Sequence, residues 1–171
     1  YRAALVRHCR QLVGEGGLKW FDLRPSRERF VYDLPDKQID FASRNGMTLR
    51  GHTLVWYGAM PDWTKSIASA SEAEREMVGH IETVMGRYRG RIKSWDVINE
   101  PIPDDPASRS DIRPSIWQQR MGERDVALAP ARLPDRRANV GADRRIVRGR
   151  LVDHVPALDA AAIAGHHRLA V

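Results

Sequence analysis

Cysteine is nearly missing from this chain: Cys9 is the only one. No intrachain disulfide can form, and compartment stays undecided on that ground. Long apolar runs are missing too. Nothing approaches the ~20 apolar residues of a membrane-spanning helix, so no membrane partner is expected. No basic-then-apolar signal segment opens the chain, and Tyr1 is not a start residue, so a fragment or a processed chain is expected. Past Arg124 the deficits multiply. Residues 125–171 hold no Lys, Glu, Gln, Ser or Thr, no Phe, Tyr or Trp, and no sulfur. A charged segment without aromatics can barely build a core. Residues 130–171 are expected to be an aberrant Arg/Ala-rich tail, read out of frame from GC-rich codons, or else a divergent helical extension. His154, His166 and His167 lack carboxylates at helical spacing, so no metal and no cofactor is expected.

The net charge of +6 invites a nucleic-acid reading. Residues 1–124 carry 20 Lys+Arg against 17 Asp+Glu, and residues 125–171 carry 8 Arg against 5 Asp, so the excess is densest in the tail. No helix-turn-helix, zinc-finger or aromatic RNA-binding motif accompanies it. No nucleic-acid partner is expected.

What is present alternates. Residues 1–13 read as a helix, with Ala4, Leu5, Cys9 and Leu12 near helical spacing, broken by Gly14, Gly16 and Gly17. Leu18-Lys19-Trp20-Phe21 reads as a short strand. Pro35 is placed to open a helix through Ile39, Phe41 and Ala42, and Gly46 to close it. Met47 to Trp56 is the next strand. Ser71 and Glu74 form a capping box for a helix whose inner stripe is Met77, Ile81, Val84, Met85 and Tyr88. Ile92 to Asn99 is again a strand. Ile112 to about Leu128 reads as a helix with Ile116, Trp117 and Met121 inward. Strand alternating with helix predicts an α/β fold, a parallel sheet with helical crossovers.

Two stretches carry chemistry. In Lys93-Ser94-Trp95-Asp96-Val97-Ile98-Asn99-Glu100-Pro101, Trp95, Val97 and Ile98 are strand formers. Pro101 cannot donate to a ladder and stops the strand. Asn99 and Glu100 then sit at the carboxyl end of a buried strand, which in a parallel α/β barrel is the end with the chemistry. Alone, Asn-Glu-Pro is most simply a strand exit with a solvated Glu. The second stretch, Leu49-Arg50-Gly51-His52-Thr53-Leu54-Val55-Trp56 followed by Met60-Pro61-Asp62-Trp63, changes that reading. A weaker third is Glu15-Gly16-Gly17-Leu18-Lys19-Trp20.

Together these stretches resemble glycoside hydrolase family 10, the endo-β-1,4-xylanases. The resemblance runs from about residue 9 to about residue 129. Residues 1–129 are therefore expected to be part of that family's catalytic domain, a TIM (β/α)8 barrel. A closed barrel takes roughly 250 residues, so a partial barrel of three to four βα units is expected. The resemblance implies that Glu100 is the acid/base of a retaining mechanism. In such enzymes a second carboxylate about 5–5.5 Å away is the nucleophile. Apolar walls raise the pKa of an acid of this kind, and Trp56 and Trp95 are the candidate walls. Asn99 matches the residue that binds the sugar 2-hydroxyl, where an amide serves as donor and acceptor together. His52 matches a residue of the same subsite. Glu15 and Lys19 match residues that bind the next sugar, with Gly16 in place of the usual Asn. Trp56 matches the aromatic floor, and Trp63 reads as core packing. Tyr57 and Ala59 stand where the family often has His and Gln. Glu15, Lys19, His52, Trp56, Asn99 and Glu100 are expected to cluster at one end of the sheet. The implied partner is xylan or a xylo-oligosaccharide, and the implied location is secreted or periplasmic.

No nucleophile motif of the Thr-Glu-(Leu/Ile)-Asp type follows Glu100. Glu123 is the last Glu, and it matches the family's Gly-Glu pattern. The implied function is retaining cleavage of internal β-1,4-xylosidic bonds. The alternative is an inactive xylan-binding fragment that lacks the nucleophile.

Overall fold

Three strands lie side by side in the order β1 (Gln11–Val13), β2 (Thr48–Trp56), β3 (Ser94–Asn99), and both pairs are parallel. This is a computed structural model that describes residues 1–109 and 112–122. Helix α1 (Arg2–His8) precedes β1, and α2 (Trp20–Leu23) and α3 (Asp33–Arg44) cross from β1 to β2. Helix α4 (Ala70–Arg87) crosses from β2 to β3, and α5 (Ile116–Met121) follows β3. Helices α2, α3 and α4 pack on β2, and α5 packs on α4. The result is three βα units of a parallel sheet, the partial barrel expected from the sequence.

The core forms where the helical and strand periods meet. Met77, Ile81, Val84 and Tyr88 of the α4 segment are fully buried, on the expected stripe, together with His80, which that stripe omitted. Leu49, Leu54 and Val55 of β2 and Trp117 of α5 meet them. Gly46 follows α3 at φ +63, the left-handed position that favours glycine after a helix.

Several local expectations are corrected. Residues 1–13 are not one helix: α1 stops at His8, Cys9 is extended, and Gln11–Val13 pair with Thr48–Arg50. A three-residue strand has too little pattern to announce itself, and its partner lies far along the chain. Leu18–Phe21 is not a strand. Trp20, Leu23 and Arg24 are all buried while Phe21 is half exposed, which is helical spacing. Gly17 at φ +88 turns the chain there, and its N–H donates to Asp22 at 2.9 Å.

The capping box of α4 lies two residues earlier than expected. Ser69 Oγ accepts from the Glu72 N–H at 3.2 Å, and Glu72 Oε2 accepts from the Ala68 N–H at 2.9 Å. Both Ser-x-x-Glu pairs fit the sequence pattern. The tertiary contact decides between them, because Arg27 binds Glu72 at 2.6 Å and Glu76 at 3.1 Å. Helix α5 is shorter than the expected 112–128. Ser115 caps it by accepting from the Gln118 N–H, and Gly122 at φ +79 ends it. The Arg/Ala-rich segment, with His154, His166 and His167, lies outside the described residues.

Candidate active site

The site begins with one extra residue in β2. Arg50, Gly51 and His52 pair with Ser94, Trp95 and Asp96, but beyond them Val55 pairs with Ile98 and Trp56 with Asn99. Without that bulge Val55 would lie opposite Asn99. Bulges re-aim side chains next to active sites, and this one brings the Trp56 indole level with the end of β3. The His52–Thr53 peptide in the same stretch is cis. Gly51 is required by Trp95: a Cβ there would lie 2.2 Å from a ring carbon of the indole. Trp95 is thus a core residue lying over Gly51. It is not a wall of Glu100, which follows five residues later, roughly 16 Å along the strand.

Glu100 leaves β3 at φ +48, in the left-handed region that a Glu seldom adopts. Its side chain is exposed, and Oε2 accepts from Trp56 Nε1–H at 3.0 Å. The Lys19 ammonium lies 5.0 Å from the centroid of the Trp56 ring, within cation–π range. Glu15 Oε2 lies 3.9 Å from that ammonium. Glu15, Lys19, Trp56 and Glu100 therefore form one continuous line, with Asn99 beside Trp56 in the ladder. Lys19 does not end a strand; it is the residue before α2, brought to the site by the turn after β1.

His52 is level with Asp96 rather than with Glu100. Its Nδ1 is 3.0 Å from Asp96 Oδ2. Arg50 Nε donates to both Asp96 oxygens at 3.0 Å, and Arg50 Nη2 also donates to Oδ1. Partial burial pushes the Asp96 carboxyl up, but hydrogen bonds from Arg50 and His52 outweigh it and hold the group below the usual carboxylate range. An ionised Asp96 can only accept, so His52 Nδ1 donates to it, which fixes the orientation of the ring. Trp63 packs against the core with its Nε1–H donated to Arg24 O at 3.0 Å.

Three residues of this neighbourhood were not singled out in the sequence: Arg50, Asp96 and Arg113. Arg50 and Asp96 lie inside the quoted motifs and Arg113 inside the stretch expected as a helix from Ile112, but the roles of all three depend on contacts between separate segments of the chain. Among the described residues no group of three or more His, Cys, Asp or Glu could hold a metal ion. No described helix is long and apolar enough to cross a membrane. Glu123 lies outside the described residues.

The profile of glycosyl hydrolase family 10 matches residues 1–139, past the composition change. The chain is 34% identical over 119 residues to endo-1,4-beta-xylanase 3 of Hypocrea jecorina, covering 70% of this chain and 33% of that protein. It is 35% identical over 131 residues to the beta-1,4-xylanase of Dictyoglomus thermophilum, covering 75% and 36%. Among solved structures, xylanase 10B of Thermotoga petrophila in complex with xylobiose superposes with a TM-score of 0.69 at 32% identity, covering 75% of this chain and 38% of that one. The chain thus spans about a third of the length of these curated relatives. The family match covers most of the sequence, and the solved xylanase superposes over 75% of the chain: the chain belongs to glycosyl hydrolase family 10.

Proposed function

We propose that this chain carries the acid/base side of a retaining endo-β-1,4-xylanase site. The observation that supports it most is the 3.0 Å bond between Trp56 Nε1 and Glu100 Oε2 at the ends of adjacent parallel strands, with Lys19 beside the same indole. Glu100 would protonate the leaving glycosidic oxygen and later take a proton from the attacking water. Asn99 and His52 would hold the hydroxyls of the sugar at the cleaved bond, Trp56 its flat face, and Glu15 with Lys19 the next sugar. A xylo-oligosaccharide is the proposed ligand. A secreted or periplasmic location belongs to the same proposal, because xylan is a polymer outside the cell.

The covalent step needs a nucleophile, and no Thr-Glu-(Leu/Ile)-Asp motif follows Glu100. Losing one member of a cooperating catalytic set costs orders of magnitude in rate. This chain by itself is therefore expected to bind xylo-oligosaccharide and to hydrolyse xylan barely above background. The missing motif favours the second reading, a xylan-binding role without catalysis, for the isolated chain. The test is reducing-sugar release from xylan by the purified chain beside Glu100→Gln, with calorimetric binding of a xylo-oligosaccharide beside Trp56→Ala. Equal background release with binding lost in Trp56→Ala is the expected pattern. Strong turnover abolished by Glu100→Gln would reveal an unrecognised nucleophile, and no binding by the unaltered chain would sink the reading.

A further inference from the structure

The segment after Glu100 is poor in the means to hold itself. Pro101 and Pro103 lack N–H groups, so Pro101-Ile102-Pro103 has a single backbone donor. Yet three consecutive carbonyls are taken, all by one residue. Arg113 Nε donates to Glu100 O at 3.1 Å, the Arg113 backbone N–H donates to Pro101 O at 2.6 Å, and Arg113 Nη2 donates to Ile102 O at 2.9 Å. The guanidinium also grips Asp104 with both ends of its fork, at 2.9 and 2.7 Å. Its flat face lies 4.6 Å from the centroid of the Tyr57 ring. Tyr57 neighbours Trp56, whose indole holds the Glu100 carboxylate.

Arg113 is itself well seated. Its side chain is only 16% exposed. It lies just before α5, which is fixed by the buried Trp117 and by Arg120 Nε donating to Ile67 O at 2.9 Å. Glu100, by contrast, sits exposed at φ +48. Such a conformation is unfavourable for a residue other than glycine and persists where surrounding contacts enforce it. Two side chains meet Glu100 here: Arg113 at its carbonyl and Trp56 at its carboxylate.

We propose that Arg113 is a positioning residue for Glu100: by holding the Glu100, Pro101 and Ile102 carbonyls it keeps the left-handed turn that presents the Glu100 carboxylate to Trp56 Nε1–H. A planar fork suits this role and a lysine does not, because four bonds leave the guanidinium in fixed directions. Asp104 neutralises the guanidinium, so the brace adds little net charge beside the acid/base. The catalytic meaning of this positioning rests on the xylanase reading above, but the positioning itself does not.

The test follows the Trp56 indole N–H resonance of the 171-residue chain by NMR through an acid titration. The resonance is assigned by its loss in Trp56→Phe. In the unaltered chain it should shift as the Glu100 carboxyl titrates, and that shift should vanish in Glu100→Ala. In Arg113→Ala most of the shift should be lost, and in Arg113→Lys it should be intermediate. Should Arg113→Ala fail to fold, Arg113→Lys carries the decision. Full amplitude and an unchanged midpoint in whichever folded variant is read would overturn the proposal, even if that variant is less stable. Xylan binding is measured separately, so the xylanase reading can fail while the indole titration stands, and the reverse.

Discussion

His80 should make this protein lose stability as pH falls through the range just below neutrality. The ring is fully buried, stacked on Trp20 with centroids 3.8 Å apart at 23°, and 5.9 Å from Phe30. Among the described residues neither ring nitrogen has a hydrogen-bond partner. The nearby charges are Arg24, whose guanidinium stands over Trp20, Phe30 and Trp63, and Glu76, which Arg24 holds at 2.8 Å. Burial, and then the charge of Arg24, hold the imidazole well below the ordinary His range. The unfolded chain therefore takes up a proton near the ordinary value of about 6.5 while the folded chain does not. Stability falls as pH drops below that point, and the loss stops where the folded ring itself protonates. One proton gives a slope of at most about 1.4 kcal/mol per pH unit, or about 2 kcal/mol from about pH 6.5 to about pH 5. Urea unfolding of the wild type and His80→Phe between about pH 7.5 and about pH 5 measures it. Phe keeps a planar ring in the stack and cannot titrate. It removes orphaned polar atoms worth about 1–3 kcal/mol each but adds bulk costing about 1–3 kcal/mol, so the slope, not the offset, is the readout. The other titrating groups cancel in the difference. Two curves that stay parallel across the range would refute the reasoning.

Gly51→Ala should destabilise by about 1–3 kcal/mol or more, because its Cβ would press on Trp95 in a packed core; denaturant unfolding reads this, and a change under about 0.5 kcal/mol would contradict it. Ser69→Ala should cost about 1 kcal/mol through the lost cap of α4, whereas Ser71→Ala should cost less. Asp96 is held below the usual carboxylate range, so its contribution is complete above about pH 4 and disappears as pH falls through the lowered value. Acid unfolding of Asp96→Asn should lack that share of the pH dependence, and an unchanged acid limb would count against the Arg50–Asp96–His52 arrangement.

Much of the fold could be read in advance where the pattern is long. Helices α3 and α4 and strands β2 and β3 carry apolar residues at their own period over six to eighteen residues. Strand β1 and helix α2 have only three and four residues, too few to distinguish a period of two from one near four. Among the proposed site residues, Glu100, Asn99, His52 and Trp56 could be named because they stand in long, ordered motifs. Their mutual arrangement could not.

By itself, then, the order of residues determined the alternation of strand and helix, the strand end at Pro101 and the chemical groups near it, because these depend on neighbours within a few positions. Tertiary structure alone decided which of two capping pairs starts α4, which strand residue faces Asn99, and which side chains hold Glu100. Trp56 reaches Glu100 across 44 positions, and Arg27 reaches Glu72 across 45. The bulge in β2 shifts the pairing by one residue, and Trp20 and Phe30 close over His80, which has no hydrogen-bond partner among the described residues. Packing and register arise from contacts between segments far apart in the chain, and a local periodicity carries no record of them.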